Sequence, residues 1–181
     1  YNTSLTKRNY ISPFSKIGPG TDGGLKPELV CHGGNILSPY NVNPFSRIAT
    51  CGLFSDGNSI SYDNGTSFSA PLISRYAQIL FDYYPFADTN MIKALLIHFA
   101  ERREIFEDFN FDYKYTGFGE PNIENAVYAN SSATFLYQGN LDTDNYEYVK
   151  FNIPDKFNDS SYDSKLKLRI TIVYNPDIDI N

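Results

Sequence analysis

The chain has 181 residues, 41% of them apolar and 20% charged, which is the balance of a folded globular domain rather than of a disordered or fibrous chain. Fifteen basic residues against twenty-one acidic ones leave a net charge of −6, which argues against a dominant basic face for nucleic acid or anionic membrane. No apolar run approaches the ~20 residues of a membrane-crossing helix, and two cysteines are too few for a disulfide-dense scaffold.

Tyr1-Asn2-Thr3-Ser4 lacks an initiator methionine and a basic-then-apolar leader, so the chain is expected to begin within a longer protein. Fifteen Tyr and fourteen Phe with no Trp suit sheet surfaces better than a helical bundle. Residues 1–65 are rich in Gly, Pro, Ser and Asn around short apolar islands, Leu29-Val30 and Ile48-Ala49. Short strands between ordered loops are expected there. From residue 66 the period changes. Ile73, Tyr76, Ala77, Leu80 and Tyr83 recur at three- and four-residue steps and predict a helix over roughly 67–84. Asp88 or Thr89 caps a second helix carrying Ile92, Leu95, Leu96 and Phe99. Pro121 is expected to open a short helix running through Ala126.

Beyond residue 132 apolar and polar residues alternate, first over 147–153 and then strictly over Leu166-Lys167-Leu168-Arg169-Ile170-Thr171-Ile172. That is the period of half-buried strands, separated by a polar loop over 155–163. The tail is therefore expected to form a small antiparallel β unit.

Asn64-Gly65-Thr66-Ser67-Phe68-Ser69-Ala70-Pro71 leads straight into the first helix. Gly65 permits a tight backbone approach. The unpaired N–H groups and positive dipole end of the helix favour a developing negative charge beside the hydroxyl of Ser67. Pro71 is expected early enough in the helix for its missing N–H to cost nothing. A Ser so placed suits a nucleophile next to its own oxyanion-stabilising amide; the same residues also suit an ordinary helix cap.

The surrounding segments favour the nucleophile. Gly65-Thr66-Ser67-Phe68-Ser69-Ala70-Pro71 resembles the nucleophile motif of subtilisin-like serine proteases (subtilases), Gly-Thr-Ser-x-Ala/Ser-x-Pro. Ser12-Pro13-Phe14-Ser15-Lys16-Ile17-Gly18-Pro19 is similar to the family's Ser-x-Phe-Ser-x-x-Gly-Pro segment, and Lys26 to Ile36 to its Lys-Pro-Asp-Ile-x-Ala-Pro-Gly-x-x-Ile strand and turn. Ile92 to Leu96 and Gly117-Phe118-Gly119-Glu120-Pro121 resemble the following helix and a Gly-x-Gly-x-Pro element. These matches stand in the family's order across residues 10–127; the tail through Leu168 to Pro176 is similar, less specifically, to a β-rich extension of some subtilases.

The resemblance implies part of a three-layer α/β/α sandwich with a mostly parallel sheet over residues 1–130, and an antiparallel β extension over 131–181. It implies a serine endopeptidase acting by acyl transfer through Ser67. The Ser67 N–H and the nearby Thr66 hydroxyl would stabilise the oxyanion, and Asn64 and Gly65 would shape the turn. A serine needs a base and an orienting carboxylate, which the family supplies upstream in the order Asp, His, Ser. Of the two histidines, His98 lies on an apolar helix face and His32 stands where the family has Pro; neither matches the base. Asn2 lies in no motif, so the family's oxyanion Asn and most specificity-pocket walls are expected in a missing N-terminal part of the domain. The chain alone is expected to be inactive.

The expected partners are a polypeptide substrate and that missing part, with no nucleic acid and no membrane span. Unpaired sheet edges are expected to favour self-association. The alternatives are a pseudoprotease or peptide-binding module on the same fold, or a recognition role for residues 132–181. No cofactor is identified in this segment, and structural calcium in the missing part is left open. Cys31, His32 and Cys51 lack zinc spacing; two unlinked core cysteines fit better than a disulfide. Asp108 to Asp112 begins like a calcium loop but has Tyr113 where Gly is required. Asn-x-Ser/Thr triplets fall at Asn2, Asn64, Asn130 and Asn158, and a glycan at Asn64 would obstruct the proposed nucleophile.

Overall fold

The structure, a computed structural model, describes residues 10–35, 47–52, 60–102, 113–128, 133–142, 144–152 and 167–175. The expected calcium-like loop at 108–112, the residues after 175 and the triplets at Asn2, Asn130 and Asn158 lie outside them.

Two strands, β1 (Ile48–Cys51) and β2 (Ile60–Asp63), pair antiparallel with Ile48 opposite Asp63 and Cys51 opposite Ile60. The long helix α1 (Thr66–Tyr83) follows at once. It stops where Tyr84 precedes Pro85, and Tyr84 has left helical geometry (φ −121°, ψ 70°), as a residue before proline does. Asp88 then caps α2 (Thr89–His98), its carboxylate accepting from the Met91 N–H at 2.8 Å. Asp88→Ala is expected to cost about 1 kcal/mol in urea unfolding. Beyond it, β3 (Ala100–Glu101) pairs antiparallel with β4 (Glu120–Pro121) around the one-turn helix α3 (Tyr113–Thr116). The helix α4 (Ile123–Tyr128) closes the described core region.

Leu80 of α1, Met91, Ile92, Leu95 and Leu96 of α2 and Ala126 of α4 form the buried cluster, with Leu29, Ile73, Tyr76, Ala77 and Phe99 packed around it. The apolar stripe read from residues 73–83 therefore faces the core from Ile73 to Leu80. Its last member does not: Tyr83 is exposed and pairs edge-to-face with Tyr128, while Tyr84 turns inward and donates to the Ala126 carbonyl at 2.9 Å.

Several expectations need correction. Pro121 belongs to β4, and the short helix begins two residues later because Asn122 caps it, accepting from the Asn125 N–H at 3.0 Å. Pro71 is the sixth residue of α1, so its missing N–H does remove a bond, the one the Ser67 carbonyl would have accepted. Among the described residues all assigned strand pairs are antiparallel, in two-stranded sheets, and the expected parallel sheet is not among them. The described parts of 133–175 hold no assigned strand, although side chains link two of them: Phe135 packs on Phe151 with ring centroids 5.1 Å apart and the Tyr137 hydroxyl donates to Glu147. Cys31 is half-buried, Cys51 exposed rather than core, and neither is disulfide-bonded.

Candidate active site

The turn into α1 sits where several sequence-distant segments meet. The Gly65 N–H donates to the Gly33 carbonyl at 2.8 Å, and the Ser69 hydroxyl donates to the Cys31 carbonyl at 3.0 Å. The Ser12 hydroxyl reaches the Gly34 carbonyl at 2.7 Å from the other side. Further along, Phe118 N–H donates to Glu28 O at 2.8 Å and Val30 N–H to Gly119 O at 3.0 Å. Segments around residues 12, 28–34, 65–69 and 117–119 are thereby tied into one neighbourhood.

Two glycines make this approach possible. Gly65 has φ +153° and ψ +158°, a region only glycine occupies without strain. Gly33 is buried, and a Cβ there would lie 2.5 Å from Ser69 Oγ and 2.8 Å from Gly65 O. Backbone under the turn therefore approaches as closely as it can.

Ser67 is the second residue of α1 and is exposed. Helix geometry leaves the N–H groups of Thr66 and Ser67 without an intrahelical acceptor, whereas Phe68 N–H already donates to Gly65 O at 3.1 Å. Thr66 is exposed beside it. Asn64 is fixed at both ends: its N–H donates to Asp63 Oδ1 at 2.8 Å and its side-chain amide to the Asn35 carbonyl at 3.4 Å. Sequence reasoning did not single out Gly33 and Ser69 as the ties beneath this turn; both already stood inside the matched motifs.

The two histidines differ in setting, and His32 lies within the tied segment 28–34. His98 ends α2, packs edge-to-face on Phe99, and sets Nδ1 3.0 Å from Thr171 Oγ1. Burial, and then the neighbouring Arg169 guanidinium, hold its pKa below the ordinary histidine value. His32 is exposed, next to Gly33. Half-burial raises the Cys31 thiol pKa, with the nearby Glu120 carboxylate adding to the rise; a raised thiol is a poorer thiolate source. Glu28 takes the Lys93 ammonium at 2.6 Å. Partial desolvation works against its ionisation, but the hydrogen bond and charge of Lys93, with Lys26, bring its pKa below the ordinary value. Among the described residues no group of three or more His, Cys, Asp and Glu is placed to hold a metal ion, and no helix is long and apolar enough to cross a membrane.

The comparisons with known proteins agree with the motifs. The model of the subtilase family matches residues 3–134, and the chain belongs to that family of serine proteases, whose fold is α/β. It is 28% identical over 190 residues to the uncharacterized protein y4bN of Sinorhizobium fredii, covering 96% of this chain and 43% of that protein. It is 32% identical over 89 residues to the serine protease/ABC transporter B family protein tagA of Dictyostelium discoideum, covering 46% of this chain and 5% of that one. The chain thus spans less than half the length of either relative. No solved structure matches it significantly.

Proposed function

We propose that this chain is the nucleophile-bearing part of a subtilisin-like serine endopeptidase, with Ser67 as the acylating residue. The observation that carries this reading is the exposed Ser67 on the first turn of α1, behind a glycine with φ +153°. In this reading the hydroxyl attacks a peptide carbonyl and the Ser67 N–H receives the oxyanion. The Thr66 hydroxyl assists, and Asn64 and Gly65 hold the turn and the adjoining substrate edge. The helix α1 is then the central helix of a three-layer sandwich over residues 1–130, with 131–181 as its extension.

Acyl transfer by serine needs a proton acceptor in hydrogen-bond reach. His98 is engaged with Thr171 and His32 matches no base motif, so the base and its carboxylate come from residues other than these 181. The expected result is that the 181 residues alone do not cleave casein at a useful rate, while the natural gene product that carries them together with a His-Gly-Thr motif and its aspartate does. Robust cleavage by the 181 residues alone would overturn the division of labour. Failure of that triad-bearing product to cleave would favour the pseudoprotease or peptide-binding alternative.

A further inference from the structure

Between Cys31 and Asn35 the backbone carbonyls meet donors from distant segments. Cys31 O takes the Ser69 hydroxyl at 3.0 Å, Gly33 O the Gly65 N–H at 2.8 Å, Gly34 O the Ser12 hydroxyl at 2.7 Å and Asn35 O the Asn64 side-chain amide at 3.4 Å. The donors from the turn into α1 bracket Ser67: Asn64 and Gly65 precede it and Ser69 follows it. Gly65 and Ser69 stand two residues to either side of Ser67, and their acceptors, Gly33 and Cys31, are two residues apart. Four residues of helix rise about 6 Å, and two residues of chain span at most about 7 Å. One short stretch of backbone can therefore hold both ends of the turn at once, with little slack.

The helix itself holds Ser67 weakly. Its N–H lies on the first turn, ahead of any intrahelical acceptor. Its carbonyl would be bonded by the N–H of residue 71, and that residue is Pro71. Neither backbone group of the proposed nucleophile is therefore fixed by the hydrogen-bond ladder of α1. We infer that Ser69 is a positioning residue: by holding the Cys31 carbonyl, its hydroxyl fixes the first turn of α1 in the rotation that aims the Ser67 hydroxyl and N–H at the scissile carbonyl. This inference rests on the reading of Ser67 as nucleophile. Ser69 meets no reacting atom and acts through the turn. Its Oγ fits where Gly33 has no side chain, since a Cβ there would lie 2.5 Å from that oxygen. The family motif has Ala or Ser at this place and Pro where His32 stands. His32 leaves free a φ that Pro would fix, and the Ser69 hydroxyl restrains the chain at the preceding residue instead.

The test is steady-state peptide hydrolysis by a gene product that carries these residues together with a complete triad. Ser69→Ala is expected to lower kcat about tenfold with KM within about twofold of the parent, because a misaimed nucleophile costs turnover and not binding. Ser69→Thr keeps the hydroxyl and is expected to stay within about threefold of the parent kcat. Circular dichroism at the assay temperature verifies the fold of each variant, and Ser67→Ala is the control. Parent kcat in Ser69→Ala overturns the inference, as does an equal loss in Ser69→Thr or a rise in KM in place of the fall in kcat. A Ser69→Ala protein unfolded at the assay temperature assigns the bond to stability alone and overturns it too. The two readings separate on the control. Turnover lost in Ser67→Ala but kept in Ser69→Ala removes this inference only, whereas turnover kept in Ser67→Ala removes the nucleophile reading with it.

Discussion

If Ser67 is the proposed nucleophile, Ser67→Ala is expected to lower kcat for peptide hydrolysis by roughly 10⁶-fold in a gene product that carries these residues together with a complete triad, a magnitude taken from subtilisin itself. The substitution removes one exposed oxygen on the first turn of α1. It leaves the ties that shape the turn: Gly65 N–H to Gly33 O, Ser69 to Cys31 O and Asn64 to Asn35 O. Binding should therefore persist, with KM near the parent value, while the acyl intermediate can no longer form. A steady-state peptide assay separates the two constants. A collapse in KM with kcat retained would mean that Ser67 holds substrate and another group attacks it.

Leu80→Ala is expected to cost about 3–5 kcal/mol, the range for deleting a fully buried leucine that leaves a cavity. Leu80 is 0% exposed and sits where α1 meets the Met91, Ile92, Leu95 and Leu96 face of α2 and Ala126 of α4. Leu80→Met, which keeps the volume, should cost less than about 1.5 kcal/mol. Urea unfolding of the three chains checks the order. Because α1 carries Ser67, loosening this contact loosens the scaffold of the proposed nucleophile. A Leu80→Ala loss below about 1 kcal/mol would mean that α1 does not depend on this packing.

The sequence disclosed what depends on local pattern. Period and capping residues located α1 and α2, and of the two candidate caps, Asp88 and Thr89, the structure uses Asp88. Gly65, two residues before Ser67, is expected to permit a tight backbone approach, and its N–H lies 2.8 Å from the Gly33 carbonyl with φ at +153°. Details set by tertiary contact were not legible. Whether Tyr83 or Tyr84 turns inward depends on Pro85 breaking the helix and on Ala126 offering a carbonyl. Pro121 was placed in a helix because its φ suits a first helical position, but pairing with Ala100 holds it in a strand and Asn122 makes the better cap. Alternation over 166–172 predicts a half-buried strand; over the described residues 167–175 no strand is assigned, although Thr171 and Val173 are half-buried while Leu168, Ile170, Ile172 and Tyr174 are exposed. Alternation does not say what a strand pairs with, since period 2 reports side-chain direction and not a neighbour. The same limit applies to the active site. Residues 64–71 specify the turn that carries the proposed nucleophile, whereas the base that the proposal requires would reach it from elsewhere in the fold, and neither His32 nor His98 carries a motif for that role.

The most direct test is covalent. A fluorophosphonate forms a stable adduct only on a serine activated by a working base and oxyanion hole. Peptide mapping by mass spectrometry of the treated, triad-bearing gene product should place the adduct on Ser67 and find none in the Ser67→Ala protein. An adduct on a different serine, or no adduct in an intact, folded protein, would contradict the assignment of Ser67 as the nucleophile.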